Sequence, residues 1–301
     1  MTYDLIKTTK KIRELILRMT TFASSGHPTS SLSAVELMTV LFFAGFFNEK
    51  DDEIIFSKGH ASPLLYALYA VWGKIEEKKL ESLRQFGSVL EGHPTPRFSY
   101  VKVATGSLGQ GLSIGLGMAL AKRLLNNKGR VFVLLGDSEI AEGQVWEAVQ
   151  LSSYYQVENL IAIVDVNRLG QRGETILGWD IYSYQRRFES FSWQTFLVVD
   201  GHDLNEIKKV YQEALLSVDK KPKVILAKTI KGKGVSFLEN KDGWHGKVLT
   251  KEELAEALEE LDQYQGKKVV EKDIIKEKLP ADQTQKSQEV NKLLKKLKIY
   301  I

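Results

Sequence analysis

Apolar residues follow two different periods along the chain, and the alternation between them predicts the architecture. Residues 3–24 place Leu5, Ile6, Ile12, Leu15, Ile16 and Met19 at helical spacing among charged positions, with Gly26 as a C-terminal stop. A more apolar helix is expected over 34–43. The run 54–56 reads as a strand ending on Ser57-Lys58-Gly59-His60, followed by helices over 64–72 and 75–86. A glycine-rich passage at 105–111 leads into a helix that ends near Leu125. Residues 131–135 and 160–166 are continuous apolar runs, short enough for buried strands. Between them, 139–155 repeats Ile140, Val145, Trp146 and Val149 at helical period. Strands at 195–199 and 223–227, a helix between them to Val218 and a last helix over 251–261 complete the pattern. Strands alternating with helices predict an α/β fold: a doubly wound, mainly parallel sheet with helices on both faces.

The unit 131–166 is strand, helix, strand, which implies two parallel strands joined by a right-handed crossover. Gly136-Asp137-Ser138 and Asn167-Arg168-Leu169 then lie just past the carboxyl ends of neighbouring strands, where open parallel sheets bind ligands. A carboxylate, an amide oxygen and a backbone carbonyl suit a hard divalent cation such as magnesium, which completes its octahedron with phosphate oxygens and water. The same residues also fit an ordinary crossover, with the Asp as helix N-cap and the Asn as a turn residue. The passage Thr105-Gly106-Ser107-Leu108-Gly109 has two readings as well. Its backbone amides can approach a phosphate at a helix start, or its glycines can simply permit close packing.

All five histidines, His27, His60, His93, His202 and His245, lie in turns beside Gly or Pro. None falls inside an apolar periodic run, so a core-packing role is not expected for any of them. The pattern favours proton transfer and hydrogen bonding to a polyol. A zinc site is disfavoured, since the gaps fit no compact ligand spacing and the chain has no cysteine.

With 301 residues, 43% hydrophobic and 27% charged, the chain has room for one large or two small soluble domains. No run approaches the roughly 18 apolar residues of a membrane-spanning helix, and the first residues lack a signal-peptide layout. Without cysteine, disulfides and thiolate chemistry are excluded, and a cytoplasmic setting is expected. The net charge of +4 sits in the tail, where ten Lys face five acidic residues from Lys267 onward. The body is therefore near neutral, which argues against a nucleic-acid-binding face. The expected organisation is one domain over 1–262 and a lysine-rich tail over 263–301. In that tail Val290, Leu293, Leu294 and Leu297 fit a short amphipathic helix that docks on a partner, or else a solvated segment.

Ordered motifs extend through the body. They are S-G-H-P-T-S at 25–30, S-K-G-H-A-S-P at 57–63, G-H-P at 92–94 and A-T-G-S-L-G-Q-G-L at 104–112. They continue as G-D-S-E-I-A-E-G-Q-V-W-E-A at 136–148, N-L-I-A-I-V-D-V-N-R-L-G-Q at 159–171 and V-D-G-H-D at 199–203. K-T-I-K-G-K-G at 228–234 and W-H-G-K at 244–247 close the series.

Together these motifs resemble the transketolases, specifically their N-terminal diphosphate-binding domain, over residues 5–262. The resemblance implies the thiamine-diphosphate-binding fold, with thiamine diphosphate and Mg2+ (or Ca2+) moving a two-carbon ketol unit between sugar phosphates. By resemblance, Asp137, Asn167 and the carbonyl of Leu169 hold the metal. Ser30, His60, Gly106, Ser107, Leu108, Ser138, Lys231 and His245 line the cofactor. His27, His93 and His245 contact substrate hydroxyls and relay protons. Lys58 and Gln171 match positions near the cofactor, and Glu142 matches a glutamate near a dimer interface.

Two departures stand out. Ser138 replaces the family's usual Gly after the metal-binding Asp, which implies weaker cofactor binding. No pyrimidine-binding domain follows, so a split enzyme is expected. Its second subunit would carry that half, in an α2β2 heterotetramer acting on sugar phosphates. The alternatives are a 1-deoxyxylulose-phosphate synthase-like or 2-oxo-acid dehydrogenase-like subunit, and a non-catalytic regulatory subunit.

Overall fold

The computed structural model describes residues 3–263, so the amphipathic stretch expected in the tail lies outside the described residues. The first helix, α1 (Leu5–Phe22), starts where the Asp4 carboxylate accepts hydrogen bonds from the amides of Ile6 and Lys7. It buries Ile12, Leu15, Ile16 and Met19 as its spacing predicts. It stops short of Gly26, with Ser24 taking the left-handed conformation at φ 47°. There follow α2 (Pro28–Leu32), α3 (Val35–Phe43), β1 (Glu53–Phe56), α4 (Ser62–Val71), α5 (Gln110–Leu124), β2 (Val131–Gly136) and α6 (Gly143–Tyr154). The chain continues with β3 (Leu160–Val166), α7 (Ile181–Ser190), β4 (Gln194–Val198), α8 (Leu204–Leu216), β5 (Lys223–Lys228) and α9 (Lys251–Gln263).

The five strands form one parallel sheet in the order β1-β2-β3-β5-β4. Alternate strand residues point to opposite faces and divide the core in two. Phe132, Leu134, Ile161, Ile163, Ile225 and Ala227 join the layer of α1, α3, α4 and α8. Val131, Val133, Leu135, Ala162, Val164 and Leu226 join that of α5, α6 and α7. Burial on both faces explains why β2 and β3 read as continuous apolar runs rather than alternating ones. Gly136 pairs with Asp165, and Val166 with Lys228. The loops after β1, β2, β3 and β5 therefore leave the sheet along one edge.

The structure departs from the pattern in four places. Residues 28–32, expected as a turn, form α2 with Pro28 in its first turn, where the missing amide costs nothing. The helix expected over 75–86 is a single 3-10 segment, Glu77–Ser82, with Leu80 buried. Arg84 at φ 58° ends any continuation. The helix expected from residue 139 begins as a 3-10 turn, Glu139–Ala141, before α6 starts at Gly143. Finally, α7 was not expected at all. It buries only Ile181, Tyr184 and Phe188, a narrow stripe behind the N-cap Asp180 that a closer reading of spacing could have found. Among the described residues no helix is long and apolar enough to cross a membrane.

Phe132 is fully buried on β2, its ring 6.1 Å from that of Phe47. Phe132→Ala is expected to destabilise the chain by about 3–5 kcal/mol through the cavity it leaves. Urea unfolding monitored by circular dichroism would register this as a lower midpoint at unchanged slope.

Candidate active site

Two constellations meet at the carboxyl edge of the sheet. The first gathers the loops after β2 and β3. Asp137, 4% exposed, accepts hydrogen bonds from the Ser138 amide at 2.9 Å and the Arg168 amide at 2.6 Å. The second of these ties the two loops together, with Arg168 in the left-handed conformation at φ 63°. The Asn167 side-chain oxygen accepts from the Leu169 amide at 3.2 Å, and its amide group donates to Asp165 at 3.1 Å. Lys231, from the loop after β5, donates to the carbonyl oxygens of Leu169 at 2.7 Å and Gly170 at 3.2 Å. Asp137, Asn167, Leu169 and Lys231 are thus drawn into one buried notch.

The second constellation is a group of imidazoles. His27, His60 and His245 lie with ring centroids 5.1–5.2 Å apart, and His93 stands 6.4 Å from His27. His27 precedes α2, whose Thr29 hydroxyl donates to the Trp244 carbonyl and so docks the loop bearing His245. Lys231 also donates to Nδ1 of His245 at 2.8 Å, which leaves the ring proton of that histidine on Nε2. The buried Nδ1 of His27 has no hydrogen-bond partner.

Burial dominates the electrostatics. It lowers His27 to about 4 and His245 to about 3, with smaller contributions from nearby cations, Arg84 first for His27 and Lys231 first for His245. It likewise lowers His93, and takes His60 well below its ordinary value. Burial and then the charge of Asp165 push Asp137 up to about 6. Burial and the neighbouring Lys58 bring Lys231 down to about 8. At neutral pH the four histidines are uncharged beside a cationic Lys231.

The remaining expected residues fall around this centre. Gly106 packs against His93, since a Cβ on it would lie 3.2 Å from the imidazole, and its φ of 144° suits glycine. The Leu108 carbonyl accepts from Gln144 at 2.8 Å, while Ser107 is exposed. Ser30 lends its carbonyl to the Lys58 ammonium at 3.0 Å. Ser138 is exposed, with its Cβ near Gly170 in a cavity of about 400 Å3 that Asp137 also lines. Gln171 and Glu142 are on the surface.

One expectation fails. His202 is buried, donating from Nδ1 to Glu36 at 2.9 Å and accepting the Ile230 amide at Nε2. Glu36 also takes the Arg13 guanidinium at 2.6 Å and 2.8 Å. His202 is therefore a structural histidine, set apart from the other four by a partner 166 residues away in the chain.

Three residues went unnoticed in the sequence. Asp165, fully buried, binds Lys58, Thr229, Ser33 and Asn167. Glu139 accepts from the Ser57 hydroxyl at 2.5 Å and the amides of Gly109 at 2.8 Å and Gly136 at 3.0 Å, so it fixes the glycine-rich loop to the end of β2. Arg84 donates to Ser25 at 3.1 Å across Gly92, where a Cβ would lie 2.4 Å from the guanidinium carbon. An acidic residue inside an apolar run was the one local sign of Asp165.

Chemically, the notch offers only hard oxygens for a cation. Asp137 is buried with no cationic side chain in ion-pair distance among the described residues, so a divalent ion there would offset its charge. The glycine-rich amides suit an anionic phosphate group beside it, while Lys58 is already paired with Asp165 and Lys231 with two carbonyl oxygens and His245. Among the described residues no three His, Asp or Glu side chains converge as a metal cluster.

Known proteins resemble this chain over most of its length. The family described as transketolase, thiamine diphosphate binding domain, matches residues 6–300. Human transketolase is 42% identical over 262 residues, covering 84% of this chain and 41% of that protein. One of the subunits of the apulose-4-phosphate transketolase of Phocaeicola vulgatus is 34% identical, and the match covers 85% of this chain and 91% of that one. Among solved structures, transketolase from Leishmania mexicana superposes with a TM-score of 0.80 at 28% identity, over 87% of this chain and 42% of that one. Transketolase from Campylobacter jejuni gives 0.78 at 31% identity, over 87% and 43%. The chain thus spans about two fifths of the length of the first of these relatives.

The lowered histidines predict a response to pH. In the unfolded chain each titrates near 6.5, but in the native chain only near 4 for His27 and 3 for His245. Between those values the unfolded state binds protons that the native state does not, so stability falls as the pH drops below about 6.5. Asp137, raised to about 6, works in the opposite sense over part of the window. The readout is therefore the difference between wild type and the double variant His27→Asn/His245→Asn. Urea midpoints between pH 7 and pH 5 are expected to fall more steeply for the wild type; equal slopes would contradict the buried, neutral state of these rings.

Proposed function

The chain belongs to the transketolase family through its thiamine-diphosphate-binding domain, and on that premise we propose that it is the diphosphate-binding subunit of a two-chain transketolase. One observation carries the reading: four histidine loops and a buried notch of hard oxygens converge at the same edge of a parallel sheet. The division between two chains is supported by the Phocaeicola relative, which is itself named as one subunit of its enzyme and is matched over 91% of its length. In this proposal residues 1–262 form the diphosphate-binding domain. A second subunit brings the pyrimidine-binding half, and the two assemble as an α2β2 heterotetramer in the cytoplasm. The substrates are a ketose phosphate donor and an aldose phosphate acceptor.

Each residue then has a physical task. Asp137, Asn167 and the Leu169 carbonyl would hold Mg2+ or Ca2+, and the amides of Gly106, Ser107 and Leu108 would receive the diphosphate with Ser138 and Lys231, while Lys58 supports the site through Asp165. Ser30 and His60 complete the cofactor's walls. Thiamine diphosphate, when bound, supplies the carbanion chemistry that lets the ketose carbon–carbon bond break and re-form. The chain's own residues orient the sugars, exclude water and move protons. His27 and His93 are uncharged at neutral pH, so each can take a proton from a substrate hydroxyl and return it, whereas His245 meets the substrate as a hydrogen-bond donor. Lys231 holds His245 in one tautomer, so that Nε2–H is free to donate to a substrate oxygen.

Thermal unfolding of the assembled protein tests the cofactor site. Thiamine diphosphate with Mg2+ is expected to raise the melting temperature. Asp137→Ala should weaken that binding by at least the roughly 10–100-fold that loss of a supporting group costs a metal site. No shift with the partner present would remove the cofactor assignment. The two-chain reading is tested by assay: ketol transfer is expected from the chain co-purified with a pyrimidine-binding partner, and none from the chain alone. Transfer by the single chain would refute the division.

A further inference from the structure

The opposite edge of the sheet holds a second cavity. At the amino ends of β2, β3 and β5 lies an open cleft of about 310 Å3, near the lower end of the volumes, roughly 300–1,000 Å3, that take small ligands. Arg123, Lys128, Arg130 and Lys223 line it, against the single carboxylate of Glu158. Strands of six or seven residues separate it from the candidate active site, a span of about 20 Å.

The charges in this cavity are unevenly matched. Arg130 pairs with Asp52 at 2.8 Å, and Arg123 stands 3.9 Å from Glu158 while donating to the carbonyl oxygens of Tyr155 and Gln156. Lys223 is only 5% exposed, yet its ammonium donates to a backbone carbonyl, that of Glu158, at 3.0 Å. Among the described residues no carboxylate lies within ion-pair distance of it. Two of its protons remain to be given. Beside it the Asn159 amide donates to the Ala119 carbonyl at 3.0 Å, while its side-chain oxygen is buried with no hydrogen-bond partner.

Glu158 and Asp219 act on this ammonium only from beyond ion-pair distance, so its charge is incompletely met where it is buried. An oxyanion in the cavity would accept its spare protons. Inorganic phosphate and phosphate monoesters supply such oxygens. We propose that this cavity binds a phosphate-bearing small molecule, remote from the carboxyl edge and independent of the activity assigned to it.

Calorimetric titration of the full chain with inorganic phosphate, in chloride buffer at constant ionic strength, tests this. One saturable site is expected. Lys223→Met should weaken it by about tenfold or more, the cost of one charge-assisted hydrogen bond. Asn159→Asp, which sets a negative charge against the anion at unchanged volume, should do the same. Lys231→Met, at the carboxyl edge, should leave it intact. Glycerol 3-phosphate distinguishes the sources: tighter binding than phosphate marks a monoester ligand, equal or weaker binding marks the free anion. If Lys223→Met does not fold, Asn159→Asp with unaltered circular dichroism decides the matter. The proposal is overturned by the absence of saturable binding. It is equally overturned by binding that survives both Lys223→Met and Asn159→Asp but is lost in Lys231→Met, which would place the anion at the other edge.

Discussion

One buried carboxylate holds the carboxyl edge of this sheet together. Asp165, with no exposed surface, takes the ammonium of Lys58 from the end of β1, the hydroxyl of Ser33 from the end of α2, that of Thr229 from the end of β5, and the amide of Asn167 from its own loop. An isolated charge at such depth would cost several kcal/mol. It is tolerated because each oxygen is saturated and a lysine lies in contact. Burial pushes this carboxyl up, but Lys58 and the hydroxyls more than offset that, and it stays below its ordinary value. The four segments come from across 196 residues of sequence, from Ser33 to Thr229, and no one of them could be placed without the others.

The compensation of Asp165 shapes its neighbour. Lys58 and the hydroxyls satisfy Asp165, so its negative charge adds to the burial of Asp137 rather than relieving it. Lys231, in the same notch, is directed instead to the Leu169 and Gly170 carbonyl oxygens and to His245. Asp137 is thus left with backbone amides and the Thr175 hydroxyl as its partners. Two carboxylates of the same strand-end region receive opposite treatment, one neutralised by a lysine and one left open to a cation. Glu139 plays a mechanical part, pinning the glycine-rich loop to β2 through three accepted hydrogen bonds.

Much of this was legible in the sequence, for a physical reason. Strands buried on both faces must be apolar throughout, so β2 and β3 were readable without their neighbours, and the crossover between them fixed where Asp137 and Asn167 would lie. The histidine turns were legible as polar punctuation, but their convergence was not, because nothing local records that His27 and His245 stand 5.2 Å apart. His202 shows the limit from the other side. Its Gly-flanked turn looks like those of its four counterparts, and only Glu36 and Arg13, distant in sequence, make it a buried structural group. The segment 75–86 failed differently: Leu80 and Leu83 at i, i+3 serve one 3-10 turn as well as a helix, and the left-handed Arg84 decides between them.

The two ends of the sheet differ in a way that follows from how polar groups can be buried. At the carboxyl edge the buried carboxylates Asp165, Asp137 and Glu139 are met by a lysine, hydroxyls or backbone amides. Buried Lys231 is met by carbonyl oxygens and an imidazole nitrogen, while the four clustered histidines escape the requirement by staying neutral. Burial that keeps these rings neutral also disfavours their protonated form, so they act first as hydrogen-bonding groups. At the amino edge the matching is incomplete: an ammonium with protons to spare lies beside an amide oxygen with no donor. Where a chain satisfies such groups with its own residues, it gains rigidity. Where it leaves them unmatched inside a cavity, the free energy lost there is the binding energy available to a ligand that matches them.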